Sequence, residues 1–275
     1  MKTTVIQLQG SDDYRTHVLA DLRSRDPDAA RISPICLTLT PAQIEQGMTE
    51  PTALFKACNL KIEQCLGVII SDEMVNEPKA VLTLISAVQA VMPMIPCIAR
   101  DRLMVSDHFN EFISRLGAVH EFRCMREKLS PRALLDFHTR YKMVFLAHSQ
   151  PAYRRLGPML ADLSGDAHLL ACALEYQQQF MQLLQHPATT ANHTNVLMHL
   201  QGYFRDQVPD DERQQLHQLI QQYHQHQQPL QQVISQIHAC MQADPHPHPW
   251  LLAQRYLFPW LICQGQTPWA QQEIL

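Results

Sequence analysis

Glycine is scarce in this chain, 8 residues of 275. So few glycines argue against a large all-β protein, whose tight turns depend on them. No Gly-rich phosphate loop is present either. No two of the eight cysteines (36, 58, 65, 97, 124, 172, 240 and 263) stand in a CxxC. They read as reduced, mostly buried thiols of a cytoplasmic protein. The opening MKTTVIQLQG has no apolar core, so no signal peptide is expected. Positive charge is not in excess: 22 Lys+Arg face 26 Asp+Glu, for a net charge of −4. That excludes a strongly basic nucleic-acid binder, though not a locally basic one. The longest greasy stretch, 80–99, is broken by Thr83, Ser86, Gln89, Pro93 and Pro96. It reads as a helix followed by a strand, not as a membrane span. No Ser-His-Asp or paired-carboxylate signature stands out.

What is present is a globular composition, 46% hydrophobic and 17% charged. The length suits two domains of roughly 100–200 residues each. The first 125 residues alternate in type. Strands are expected at 3–8, 32–39, 68–71 and 93–99, and helices at 12–25, 51–65, 79–91 and 107–126. Short apolar strands alternating with amphipathic helices predict a small parallel sheet with flanking helices over residues 1–126. The helix at 107–126 would carry Phe109, Phe112, Ile113 and Leu116 on one face.

From about residue 127 only helical periodicity remains, predicting an all-helical domain to residue 275. Ser130-Pro131 is a helix start. Leu134, Phe137, Tyr141 and Val144 lie on one stripe, and Tyr153, Leu156, Gly157 and Leu160 on another. Further stripes are Ala173, Tyr176, Phe180, Leu184; Val196, Leu200, Tyr203, Phe204; Leu216, Leu219, Ile220, Tyr223; and Leu230, Val233, Ile234, Ile237, Met241. The Gln-rich intervals 177–179 and 225–232 read as solvated helix faces. Residues 126–275 hold 12 of the 15 histidines.

The densest cluster of unusual residues is FHTRYKMVFLAHSQPAYRRLG, Phe137 to Gly157, with His138, Lys142, His148, Arg154 and Arg155. His138 and Lys142 are four apart and share a helix face. Ser149 is placed to cap the next helix. Free N–H groups at a helix start flanked by cations suit a phosphate, though the same residues would also serve as surface cations. A second polar face carries Asn192, His193, Asn195, His199 and Tyr203. Amides and imidazoles at helical spacing suit base edges, ribose hydroxyls or an internal polar network. His246 and His248 (DPHPHPW) and His224 and His226 (YHQHQ) lack the further ligands zinc needs, so no metal site is expected.

At Phe137 to Gly157 the sequence resembles the opening of the YbgA-type domain of unknown function. The resemblance continues through HTNVLMHLQGYF, His193 to Phe204, and through Tyr223 and Pro229-Leu230. It ends in WLLAQRYLFPW, Trp250 to Trp260, similar to a YLxxQxYLxPYP ending. In many relatives this domain follows a thiouracil desulfidase domain, in fusions resembling enzymes that remove sulfur from 4-thiouridine in tRNA. There a [4Fe-4S] cluster on three cysteines takes the sulfur, and the helical domain is thought to hold the tRNA. The first half of the present chain resembles a degenerate desulfidase domain. Its clearest match is RLMVSDHFNEFISRL, Arg102 to Leu116, followed by LLDFHT, Leu134 to Thr139.

Departures from that pattern remove the cluster. The family's first cysteine lies in an ACLLG loop, where this chain has Ile6 to Gly10. Its CPE motif is reduced to Cys36 in Cys36-Leu37-Thr38. Its SPSCG motif has no counterpart, since Ser71 is followed by no cysteine before Lys79. One ligand of three cannot hold the cluster, so no cofactor is expected. The resemblance therefore implies a non-catalytic, cytoplasmic RNA-binding protein, with tRNA as partner and no membrane association. His138, Lys142, His148, Arg154, Arg155, His193, Asn195, His199 and Tyr203 form the expected ligand-binding set, with phosphates on the cations and bases or ribose on the rest. The competing reading is an enzyme acting on a nucleotide or other small molecule through His138, His193 or His199. A protein-interaction module is the third.

Overall fold

A computed structural model describes residues 3–8, 32–37, 45–46, 49–50, 52–53, 65–70, 78–99, 102, 106–161, 163–205, 207–244 and 246–259. The chain divides into two compact units, Met1–Cys124 and Met125–Leu275. Helix predominates among the described residues, and the sheet is small.

In the first unit, β1 (Thr3–Leu8), β2 (Ile32–Leu37), β3 (Cys65–Ile70) and β4 (Cys97–Ala99) form one parallel sheet in the order β2-β1-β3-β4. That order is the one an open, doubly wound sheet produces. Two helices are described here, α1 (Pro78–Val91) and α2 (Ser106–Arg126). The expected helix at 12–25 and most of that at 51–65 lie outside the described residues. Cys65 opens β3 instead of ending a helix. The fourth strand is shorter than the apolar run 93–99 suggests, and Ile95 N donates to Met92 O in a turn at 3.0 Å. Pro93 and Pro96 have no N–H for a ladder, which accounts for the late start. Phe112, Ile113 and Leu116 of α2 are buried as their spacing predicts. A Cβ on Gly67 of β3 would collide with the Leu116 side chain and lie 3.1 Å from the Pro96 carbonyl. Glycine is what lets α2 sit this close to the sheet.

The second unit is helical: α3 (Pro131–His148), α4 (Gln150–Leu156), α5 (Asp166–Leu183), α6 (Thr190–Gln201), α7 (Asp210–His224), α8 (Leu230–Ala243) and the short α9 (Pro249–Leu252). Hydroxyl side chains cap three starts. Ser130 Oγ accepts from Ala133 N (3.1 Å), Ser149 Oγ from Ala152 N (3.3 Å) and Thr189 Oγ1 from Asn192 N (3.2 Å). α4 stops at Leu156 and a 3-10 turn, Pro158–Leu160, replaces the expected continuous stripe, because Pro158 cannot donate to the helix. α6 likewise gives way to a 3-10 turn at Gly202–Phe204.

Helix α3 serves two cores. Phe137, Tyr141 and Phe145 meet Tyr176 and Phe180 of α5 in an aromatic cluster, with Phe137 and Tyr141 stacked at 4.5 Å. Met143, Leu146 and Ala147 join Val196, Leu197 and Leu200 of α6, and through them the buried faces of α7 and α8. Gln177 is an exception to the solvated-face expectation, being only 2% exposed.

Candidate functional site

The described residues of the second unit include an open concavity of about 260 Å3 lined by Leu146, Gln150, Tyr153, Arg154, Asn195 and His199. Three elements build it. α3 supplies Leu146 as an apolar floor. The cap at Ser149 turns the chain into α4, which presents Gln150, Tyr153 and Arg154 at helical spacing. α6 presents Asn195 and His199, four residues apart on one face. Arg154, Asn195 and His199 are exposed.

Aromatic groups continue the surface from His199. Its ring lies 6.0 Å from Tyr203 and 6.3 Å from Trp250, both edge-on. Tyr203 and Trp250 stack at 4.7 Å and 11°. Lys142 Nζ sits 5.8 Å from the centre of the Trp250 ring. Burial, then the Lys142 charge, lowers the His199 pKa, so this imidazole is neutral at pH 7. Among the described residues no carboxylate pairs with Lys142, Arg154 or Arg155.

The structure thus brings Lys142, Arg154, Asn195, His199 and Tyr203 to one stretch of surface. The other expected site residues go elsewhere. Arg155 is exposed but does not line the concavity, since neighbours on a helix diverge by about 100°. His148 is 6% exposed, and its Nδ1–H donates to the His186 carbonyl at 2.6 Å. Asn192 Nδ2 donates to the His148 carbonyl at 3.2 Å, so the end of α3 is tied both to the turn after α5 and to the start of α6. His138 shares a 2.8 Å hydrogen bond with Tyr176 Oη and stacks on Tyr153 at 5.4 Å and 14°. His193 shares a 2.8 Å hydrogen bond with Tyr256 Oη. Burial pulls both imidazoles down to about 4, with Lys142 adding to the effect on His138. His138 therefore supports the concavity from behind Tyr153, and His193 locks the chain's closing segment to α6.

That closing segment positions Trp250. Gln254 is fully buried, and its Nε2 donates to Thr139 O (3.0 Å) and Trp250 O (3.3 Å). Arg255 N donates to Arg140 O at 3.0 Å. His248 Nδ1 accepts from Trp250 N at 3.1 Å, and the His248 ring lies 5.3 Å from Tyr203. Sequence reasoning missed Gln150, Tyr153, His248 and Trp250 as surface contributors. Tyr153 falls on a core stripe by its spacing, and Trp250 sits in a closing motif. For Tyr153, an aromatic residue directly before the Arg154-Arg155 pair was the available signal. Among the described residues no group of three or more His, Cys, Asp or Glu could hold a metal ion, and no helix is long and apolar enough to cross a membrane.

The class these features define is a helical unit whose motif residues mostly clamp one another around a mixed cationic, amide and aromatic surface. Residues 142–260 match the family described as "Protein of unknown function (DUF1722)". The chain is 47% identical over 147 residues to "Uncharacterized protein YbgA" of Escherichia coli (strain K12), a match covering 53% of this chain and 86% of that protein. The chain belongs to this YbgA-like family. No solved structure matches it.

Proposed function

We propose that the helical unit binds RNA, with tRNA the first candidate, and does so without carrying out chemistry itself. The observation that carries this reading is the juxtaposition of cations that meet no carboxylate among the described residues with exposed amide and half-buried aromatic groups. Arg154 and Lys142 flank Asn195 and His199, and the Tyr203–Trp250 stack extends the same surface. Cations suit phosphates. Neutral imidazole and amide groups suit base edges and ribose hydroxyls, and aromatic faces suit unstacked bases. The net charge of −4 keeps the interaction local and salt-sensitive. In this reading the α/β unit is a relative of the 4-thiouridine desulfidases retained as scaffold or regulator. Backbone register sets Gln7 beside Cys36, the one cysteine kept from that family's ligand pattern.

The test is RNA affinity of the full chain as a function of salt. Replacing Lys142 or Arg154 by Ala should weaken binding. It should also flatten the log–log salt slope, by roughly 0.7 for each single-strand phosphate that is no longer neutralised. Asn195→Ala and His199→Ala should weaken binding with the slope unchanged, because neither group is charged at pH 7. Unaltered affinity and slope in both cation variants would remove RNA from this surface.

A further inference from the structure

We propose that the α/β unit contains a site for a small organic anion, in which Arg115 and Arg102 hold the carboxylate or phosphate head of a ligand whose apolar body lies against α1 and β4. The site is a cavity of about 250 Å3 lined in part by α1, β4 and α2. Its polar wall comes from one face of α2. His108, Glu111 and Arg115 recur at helical spacing there, and Arg102 stands at the exposed rim. Its apolar side is Ile85, Ile98 and Phe112.

The polar wall holds hydrogen-bonding groups that nothing among the described residues satisfies. Arg115 Nε and Nη2 are buried with no hydrogen-bond partner, and so is His108 Nδ1 on the same wall. A buried guanidinium is costly unless an acceptor satisfies it, and native structures rarely leave such donors unmade without a reason. Burial lowers the Arg115 pKa, although its ordinary value is so high that the group keeps its charge. Glu111, one turn earlier, is a nearby acid that favours that charge but does not supply the missing bonds.

Cys97 is not the missing acceptor. Burial pushes its thiol up to about 12, and its Sγ–H is turned to the Ile95 carbonyl at 3.5 Å. The lining therefore carries two arginines against one carboxylate, and the balance favours an anion. A planar guanidinium fork suits carboxylate and phosphate oxygens alike. The volume falls below the roughly 300–1,000 Å3 of drug-sized ligand pockets, so the occupant is small. The cavity also includes Ala99, at the carboxyl end of β4, the end at which open parallel sheets bind their ligands.

Calorimetric titration of the full-length protein with phenyl phosphate, benzoate and the uncharged benzyl alcohol tests this. At least one anionic probe should bind saturably and benzyl alcohol should not. The tighter of the two anions identifies the head group. Arg115→Met, which keeps the stem and removes the charge, should weaken binding roughly tenfold or more. Arg102 is exposed, so Arg102→Gln leaves the packing intact and should also weaken the anion. It decides the matter if Arg115→Met fails to fold. Failure of both anions to bind, equal binding of benzyl alcohol, or binding unchanged by the folded variants would overturn the proposal.

Discussion

His138 and His193 show how a residue can look like a ligand and serve as a structural partner. Each meets a tyrosine hydroxyl at 2.8 Å, across 38 and 63 residues of chain. Burial raises the Tyr176 and Tyr256 pKa values well above the usual phenol range, so each pair is neutral at pH 7. The imidazoles titrate near 4 in the folded protein, against 6.5 ordinarily. As pH falls through 6.5 the unfolded chain takes up protons that the folded chain refuses. Stability is therefore full above about pH 7 and is lost between about 6.5 and 4, by on the order of 3 kcal/mol per histidine. Urea unfolding at stepped pH should show this acid limb, and His193→Phe should make it shallower. Imidazole resonances of His138 and His193 that titrate near 6.5 would contradict it.

At the scale of elements, the segment 246–258 has little regular structure yet fixes the aromatic surface. Gln254 is its pin. It is fully buried and holds the carbonyls of Thr139 and Trp250 with one amide nitrogen. Gln254→Ala should cost about 1–3 kcal/mol, because it removes two hydrogen bonds made by a fully buried side chain and empties the space that side chain fills. It should also weaken RNA binding without touching RNA, because Trp250 loses its support. Stability that falls while RNA affinity holds would show that Trp250 is not part of the surface. The helices around this segment were legible because three- and four-residue spacing is a local property. Leu134, Phe137, Tyr141 and Val144 are all buried, and Ser130 and Ser149 cap as their Pro-containing starts suggest. Helix ends were less legible, as at Leu156, where Pro158 breaks a stripe that hydrophobicity alone would continue. The site was legible only in part. Periodicity put Asn195 and His199 on one face, but it cannot say that Tyr256 reaches back to His193, or that Trp250 stacks on Tyr203. Such pairings depend on how helices pack, and that information is spread over the whole unit.

At the scale of the molecule, the helical unit has what independent folding requires. Among the described residues, the buried side chains of its larger core lie between Met143 and Leu257, and the aromatic cluster lies between Phe137 and Phe180. Both cores share α3, so neither closes without it. A domain of about 150 residues buries roughly 68–70% of the surface its unfolded chain exposes, enough for a stable fold. The E. coli relative points the same way, since 147 aligned residues, about the size of this unit, make up 86% of that chain. A fragment spanning 127–275 should therefore be helical by circular dichroism and melt in one cooperative transition. It should also keep the RNA affinity and salt slope of the full chain, because Lys142, Arg154, Asn195, His199 and Tyr203 all lie within it. Its response to phenyl phosphate should vanish, because Arg102 and Arg115 do not. An unfolded fragment would mean that α3 needs the first unit to complete its packing, and a folded fragment without RNA affinity would move the binding surface into residues 1–126.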